Sequence, residues 1–386
     1  MNIKHYFSKK EQGSYLVLGA GTLVVLTGFA VAAIDIGRIY IVRNELQNVA
    51  DAAALAGANC LDRRPLGGVS LTECEATKLT GGPLSWGIAS AKAQSHLGRN
   101  MADNIAISTT DTGHQIEVGY YNLGDPVKGT PPGPSGGVFS TTFTPITTYD
   151  KPAVKVTVTK DAGKNGGPIA MLTNKMFGGG ADVPMSATAV AVISSPGNVP
   201  KQSITPQVIN KCMFDTYWNS ATGQPVLFKS TDKDPFGIPQ TVGQPWKIRI
   251  GSAYHYPNCI AGQWTSFEMP ANADRLAEAI ASGNNEPLNI GSKVNILKGT
   301  VNSGYKNLSD QYPTLPIDST VIVVNIEKLT DGGQGEIYAF AGFRITRIEG
   351  GSDKYIEGQF IPNFITPGSS GIGPFYGTYT PPRLAF

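Results

Sequence analysis

The sequence predicts an α+β, β-rich chain. One N-terminal transmembrane helix continues as a long extracytoplasmic helix, and two β-containing regions follow. Three observations predict this. A helical pattern runs without a proline from Ser14 to about Asn59. The 386 residues include 46 glycines and 27 prolines, which means many turns and little long helix elsewhere. Beyond Asn100 the apolar residues fall into short alternating runs, as half-buried strands do.

The first part of the helical pattern, Ser14 to Ile34 (SYLVLGAGTLVVLTGFAVAAI), carries no charge. A bilayer core of ~30 Å needs about 20 apolar helical residues, so this stretch is long enough to cross. Lys4, Lys9 and Lys10 lie before it with only Glu11 against them. The positive-inside rule then makes 1–12 a cytoplasmic tail, 13–36 a transmembrane helix and the remainder extracytoplasmic, in the periplasm or at the cell surface. That topology places the chain in the inner (cytoplasmic) membrane. A cleaved signal peptide is the rival reading, with Ala30-Val31-Ala32 supplying small residues for the cut. The apolar stretch exceeds the ~7–15 residues usual for such a peptide, which favours a retained anchor in contact with membrane lipid. Gly28 and Ala32, and then Ala33 and Gly37, stand four apart and allow a second helix close, as in a homo-oligomer.

The pattern continues past the membrane as DIGRIYIVRNELQNVADAAALAGAN. Ile39, Val42, Leu46, Val49, Ala53 and Ala56 follow one another at spacings of three and four and make a narrow apolar seam. Asn44, Gln47, Asn48 and Asp51 are expected on the far side, where Leu55 is the exception. Two readings of the seam are open. It packs on the chain's own domain, or it meets a helix of another subunit. Asp35 and Arg38, three apart, are placed to pair with each other at the membrane surface.

A second helix is expected from Leu84 to about Met101. Strands are expected at Ile105–Ser108, Gln115–Tyr121, Ala153–Thr159 and Ser186–Ile193, with Gly124–Ser140 as an exposed loop. Region 37–195 is therefore a helix plus a small antiparallel sheet. Ser194-Ser195-Pro196-Gly197-Asn198-Val199-Pro200 interrupts any element and reads as a domain boundary. Region 204–386 is read as a β-rich domain with strands at Lys247–Ile250, Lys293–Ile296, Val321–Ile326, Glu336–Ile345 and Tyr355–Ile361. One inserted helix, Ala273–Ser282, is capped by Asn272 and ended by Gly283. Asp331-Gly332-Gly333-Gln334-Gly335-Glu336 lacks the spacing of a calcium loop and reads as a hairpin turn.

The cysteines are Cys60, Cys74, Cys212 and Cys259. An even set beyond the anchor reads as disulfides, with three pairings open. Cys60–Cys74 with Cys212–Cys259 keeps each bridge within one region. No Cys-x-x-Cys pair occurs, and His255 and Cys259 are an isolated pair of candidate metal ligands. No nucleophile elbow is present, and His5, His96 and His114 read as surface residues. With a net charge of +2 and no basic run beyond the first dozen residues, nothing points to nucleic acid. The residues imply no enzyme, no catalytic group and no cofactor.

Two motifs carry a family resemblance. Asp35-Ile36-Gly37-Arg38, followed by Leu46-Gln47-Asn48-Val49-Ala50-Asp51-Ala52-Ala53-Ala54-Leu55-Ala56-Gly57-Ala58, resembles the N-terminal signature of the TadE/TadG-like proteins of tight-adherence (Flp) pilus assembly. Ala153–Val158 and Ser186–Ala191 are similar to two strand segments of the TadG-like branch. The resemblance implies a membrane-anchored structural component of a pilus assembly or secretion system. It would act through contacts with other pilus-assembly proteins and serve cell adhesion. The alternative is an exported, adhesin-like surface protein that attaches through its C-terminal β domain. Some relatives are cut after a glycine with a glutamate at the fifth residue beyond it; here Gly13 is followed at that place by Leu18. The Asp-x-Ser-x-Ser loop of metal-dependent adhesion domains is not found in the sequence.

Overall fold

The computed structural model describes residues 9–61, 86–123, 139–141, 150–178, 181–220, 223–251, 259, 262–268, 270–299, 301–326, 329, 332–350, 354–362 and 364–385. The fold is α+β and rich in strands, as the sequence predicts. Helix α1 is one 50-residue element, Lys9–Ala58. At 1.5 Å per residue it is about 75 Å long, more than twice what a bilayer core requires. Among the described residues it is the one helix long and apolar enough to cross a membrane, with a mean hydropathy of 2.2 over its most apolar window. Its apolar part stands clear of the protein, with Leu16, Leu23, Leu26 and Phe29 each more than 60% exposed.

The other half of α1 lies on a five-stranded antiparallel sheet. Helix α2 (Trp86–Leu97) is followed by a hairpin of β1 (Met101–Ala102) and β2 (Ile105–Ala106). Both residues of the turn between them, Asp103 and Asn104, have positive φ, 56° and 59°. That is the geometry of a two-residue hairpin, and Asp and Asn tolerate it better than other side chains. Strands β3 (His114–Asn122), β4 (Phe139–Ser140), β5 (Asp150–Lys160) and β6 (Met185–Val192) follow, with helix α3 (Leu172–Phe177) between the last two. Of the loop expected at Gly124–Ser140, residues 124–138 lie outside the described residues, and Phe139–Ser140 pairs with Tyr120 and Tyr121.

Packing under α1 is close because the partners are small. Val42, Leu46, Val49, Ala50, Ala53, Ala54 and Ala58 are buried against Val154, Val156 and Val158 of β5, Ala187, Ala189 and Ala191 of β6, and Ala89, Ala93 and Leu97 of α2. A Cβ on Gly57 would come within 2.9 Å of the Ala89 carbonyl oxygen and 3.0 Å of Val154 Cγ1. Only glycine lets the three elements meet there.

The second sheet has seven strands. These are β7 (Gln207–Asn210), β8 (Ile248–Gly251), β9 (Gly262–Trp264), β10 (Lys293–Ile296), β11 (Ile317–Val324), β12 (Gly333–Glu349) and β13 (Tyr355–Phe360). Their order is β8-β13-β12-β11-β7-β9, with β10 paired to the start of β12. Strands β7 and β11 run parallel and the other neighbours antiparallel. Of the hairpin turn expected at Asp331–Glu336, Gly333–Glu336 are instead the first residues of β12 and pair with β10, and Asp331 lies outside the described residues. Helix α4 (Lys211–Tyr217) leads from β7, and helix α5 (Ala273–Ser282) is capped by Asn272 Oδ1, which accepts from the Arg275 amide at 2.8 Å. Helix α6 is Asn302–Gln311.

The single expected helix of this region is thus joined by α4 and α6. The sequence of α6, NSGYKNLSDQ, is poor in helix formers, so tertiary packing fixes it. Tyr305 stacks edge-on to Trp264 at 5.2 Å, and Leu308 is fully buried. Helix α4 is seven residues long and places Phe214 among Trp218, Phe360 and Tyr376.

Ser194–Pro200, expected to interrupt any element, is not a free linker: Asn198 and Val199 pair with Asn289 and Leu288. Ser194 and Ser195 are buried, and the Ser194 and Ser195 carbonyls accept from the amides of Thr380 and Gly373. The last strand, β14 (Arg383–Leu384), leaves the second sheet and pairs with Ala191 and Val192 of β6. The C-terminal segment therefore ties the two sheets together.

One buried charge is costly. Lys151 at the start of β5 is 9% exposed, and burial pushes its ammonium down to about 8, against the pull of Asp150. The unfolded lysine keeps its proton to about pH 10.5. Between about pH 8 and 10.5 the unfolded state therefore binds more protons than the folded one, and this group's contribution to stability rises with pH. At pH 7 both states are protonated and the folded state carries the whole desolvation cost. Lys151→Met is expected to stabilise the protein at pH 7 by on the order of 2–3 kcal/mol, a gain that vanishes above about pH 10.5. Urea midpoints of parent and variant, compared at both pH values in detergent, check this. Equal midpoints at pH 7 would contradict it.

Candidate functional site

The residues singled out by sequence lie on α1, and the structure sorts them by face. Gly28, Val31, Asp35, Arg38, Val42, Leu46, Val49 and Ala53 follow one another at steps of three and four and form one stripe, about 37 Å long. Every part of that stripe meets the chain's own domain.

Asp35 is buried although it stands at the end of the charge-free span. Its Oδ1 accepts from the Leu172 amide at 2.8 Å; its Oδ2 accepts from the Thr173 amide at 2.8 Å and the Thr173 hydroxyl at 2.7 Å. Leu172 and Thr173 are the first residues of α3, whose own N-cap, Met171, supplies no side-chain bond. Asp35 thus caps a helix 137 residues away in sequence, placing a carboxylate where amide donors are otherwise unmet.

Arg38 turns to the β1–β2 hairpin. Its Nη2 donates to Asp103 Oδ1 at 2.9 Å and Oδ2 at 3.0 Å, its Nε donates to Oδ1 at 3.2 Å, and its Nη1 donates to the Ala170 carbonyl at 3.0 Å. This is a forked guanidinium–carboxylate contact, the geometry that separates arginine from lysine. The Asp103 amide in turn donates to Glu45 Oε2 at 2.7 Å. Asp35 and Arg38, expected to pair with each other, are instead the two ends of a clasp on the domain. Asp35 holds the start of α3, while Arg38 bridges the β1–β2 turn and the Ala170 carbonyl just before α3.

The seam is internal. Val42, Leu46, Val49 and Ala53 are buried, Ile39 and Leu55 are partly buried against the same core, and Ala56 is half-buried. This removes the intersubunit reading for the seam itself. Gln47 and Asp51 are not on the far side: Gln47 Nε2 donates to Asp51 Oδ1 at 2.8 Å and to the Thr188 carbonyl of β6 at 3.2 Å. Asn44 and Asn48 do face outward, as do Ile36, Gly37, Tyr40 and Ile41. A Cβ on Gly37 would meet no heavy atom within 4 Å, so its place in the motif has no account inside this chain.

Of the small-residue pairs, the Gly28 end is covered by α3: a Cβ on Gly28 would lie 3.9 Å from the Phe177 ring. Ala33 and Gly37 remain bare. Sequence reasoning missed Glu45, Asp103, Thr173 and α3 as parts of this site. The Asp103-Asn104 turn was the one local signal available; the rest depends on contacts across more than fifty residues.

Cys212 and Cys259 form a disulfide with Cα atoms 5.2 Å apart. Cys60 is also disulfide-bonded, and its expected partner Cys74 lies outside the described residues. His5 and His255 lie outside them too. Among the described residues no three His, Cys, Asp or Glu side chains are grouped to hold a metal.

The clasp can be tested alone. Asp35→Ala leaves the Leu172 and Thr173 amides without their acceptor. Exchange at those amides is expected to quicken by roughly tenfold or more, while the β5 and β6 amides stay slow. Unchanged exchange at 172–173 would mean that Asp35 does not hold α3.

Residues 13–59 match the family model described as putative Flp pilus-assembly TadE/G-like. No curated protein and no solved structure gives a match. The matched segment is the apolar span together with the clasp and the seam, and over it the chain is similar to the TadE/TadG-like proteins of Flp pilus assembly.

Proposed function

We propose that the chain is a single-pass, structural component of a tight-adherence pilus machine, of the TadG-like branch. Its N-terminus is cytoplasmic, its two sheets are outside the inner membrane, and it acts by contact with other pilus-assembly proteins. One observation carries this reading. The family segment spends its whole inner stripe on its own domain and leaves Ile36, Tyr40 and Ile41 more than half exposed just beyond the charge-free span. An anchor that only tethered a domain would not need 37–58 built rigidly into that domain. The branch assignment is supported by Ala153–Val158 and Ser186–Ala191, which lie side by side as β5 and β6 beneath the family helix.

The test is a photo-reactive phenylalanine analogue in place of Tyr40 in cells that assemble pili. The expected product is a covalent adduct with another protein of the pilus machine. Adducts with proteins unrelated to pili, or none, would count against the reading.

A further inference from the structure

Helix α3 belongs to an excursion that leaves the first sheet between β5 and β6. Its neck is closed by Ile169 and Val183, whose backbones exchange hydrogen bonds at 2.9 and 3.0 Å. From there the chain runs alongside α1 against the direction of the domain. It begins at Asp35, which caps it, and ends with Phe177 beside Gly28. Seven helical residues separate those two positions of α1, about 10 Å along its axis. A six-residue helix covers about 9 Å, so α3 descends antiparallel to α1 over that interval.

Gly28 lies well inside the charge-free stretch Ser14–Ile34. At its level the rest of the α1 circumference is bare and apolar: Val25 is 56%, Leu26 63% and Phe29 69% exposed. Met176 and Phe177 are 56% and 54% exposed at the same level. Whatever medium surrounds Leu26 and Phe29 also surrounds Met176 and Phe177.

We propose that α3 is a second membrane element, whose Met176–Phe177 tip inserts into the lipid leaflet on the domain's side. This rests on the reading of α1 as a membrane anchor and adds to it. The excursion is built for such a place. An apolar medium demands that backbone groups be paired. Asp35 takes the Leu172 and Thr173 amides, and the Lys175 and Gly178 amides donate to Met171 and Asn174 carbonyls. Lys175, exposed on the same turn, has a stem long enough to keep its ammonium at the headgroups. An aromatic ring and a thioether on a short helix are suited to the boundary between headgroups and acyl chains. With two points in the bilayer, α1 cannot rotate about its own axis, so the outward stripe at Tyr40 keeps one direction relative to the membrane plane.

The test uses the full chain in the membranes of cells that produce it. A photo-reactive p-benzoylphenylalanine replaces Phe177, Leu23 or Val242 in turn, and products are identified by mass spectrometry. Leu23 lies in the span, and Val242 is a 62% exposed apolar residue of the C-terminal region. Phospholipid adducts are expected at 23 and 177 and not at 242. Lipid adducts at 23 with a protein adduct, or none, at 177 would overturn the insertion of α3 while leaving the anchor standing. Absence of lipid adducts at 23 would overturn the anchor, and the inference with it.

Discussion

Val49→Asp is expected to remove the folded domain from the membrane. Val49 is 2% exposed at the middle of the seam, in the core that also holds Leu46, Ala53 and Val156. A carboxylate there has no partner. It must either stay charged in an apolar core or take up a proton, and the cost is several kcal/mol, roughly half of what a typical domain has to spare. Protein level and pilus-dependent attachment should therefore fall together. Asn48→Asp, one residue away on the exposed face, should leave the level unchanged. Loss of attachment at normal protein level in Val49→Asp would mean that the seam meets another subunit, against the burial described above.

Removal of the Cys212–Cys259 bridge is the second large effect. The cysteines are 47 residues apart, and the bridge fastens α4 to the segment entering β9. In the chain-entropy account, closing a loop of that size is worth about 4 kcal/mol. Helix α4 carries Met213, Phe214 and Tyr217 into the aromatic core, so the bridge also fixes a central part of the second sheet's packing. Cys212→Ser with Cys259→Ser is expected to lower the denaturation midpoint of this region well below that of the parent. Reduction of the parent with a thiol should reproduce the shift. Equal midpoints with and without the bridge would show that packing alone holds α4.

What the sequence made legible was whatever rests on local pattern. Strands β5 and β6 alternate plainly enough to be read within a few residues of their ends. Asn272 and Gly283 mark both ends of α5 through backbone chemistry confined to that helix. The α1 pattern survives over 50 residues because no proline or charge cluster interrupts its apolar half. The partners of that helix were not legible. Asp35 and Arg38 look like an intrahelical pair at spacing three, yet their acceptors and donors come from loops 65 to 138 residues away. Gln47 and Asp51 look polar and outward, yet Gln47 binds the β6 backbone. Helix α6 has almost no helical preference of its own and exists through Tyr305 and Leu308. The closing strand β14, in the run PPRLAF, has two prolines before it and reads as a tail until β6 is seen to lack a neighbour on that side.

Helix α1 beyond the apolar span and the sheet beneath it are one folded unit, joined by the stripe from Asp35 to Ala53. Hydrogen exchange of the full chain, reconstituted alone in lipid bilayers, tests it most directly. Amides from Val42 to Gly57 are expected to exchange as slowly as those of Val154–Val158, and Val49→Asp is expected to speed both sets together. Fast exchange from Val42 to Gly57 in a protein whose β5 and β6 remain protected would contradict it.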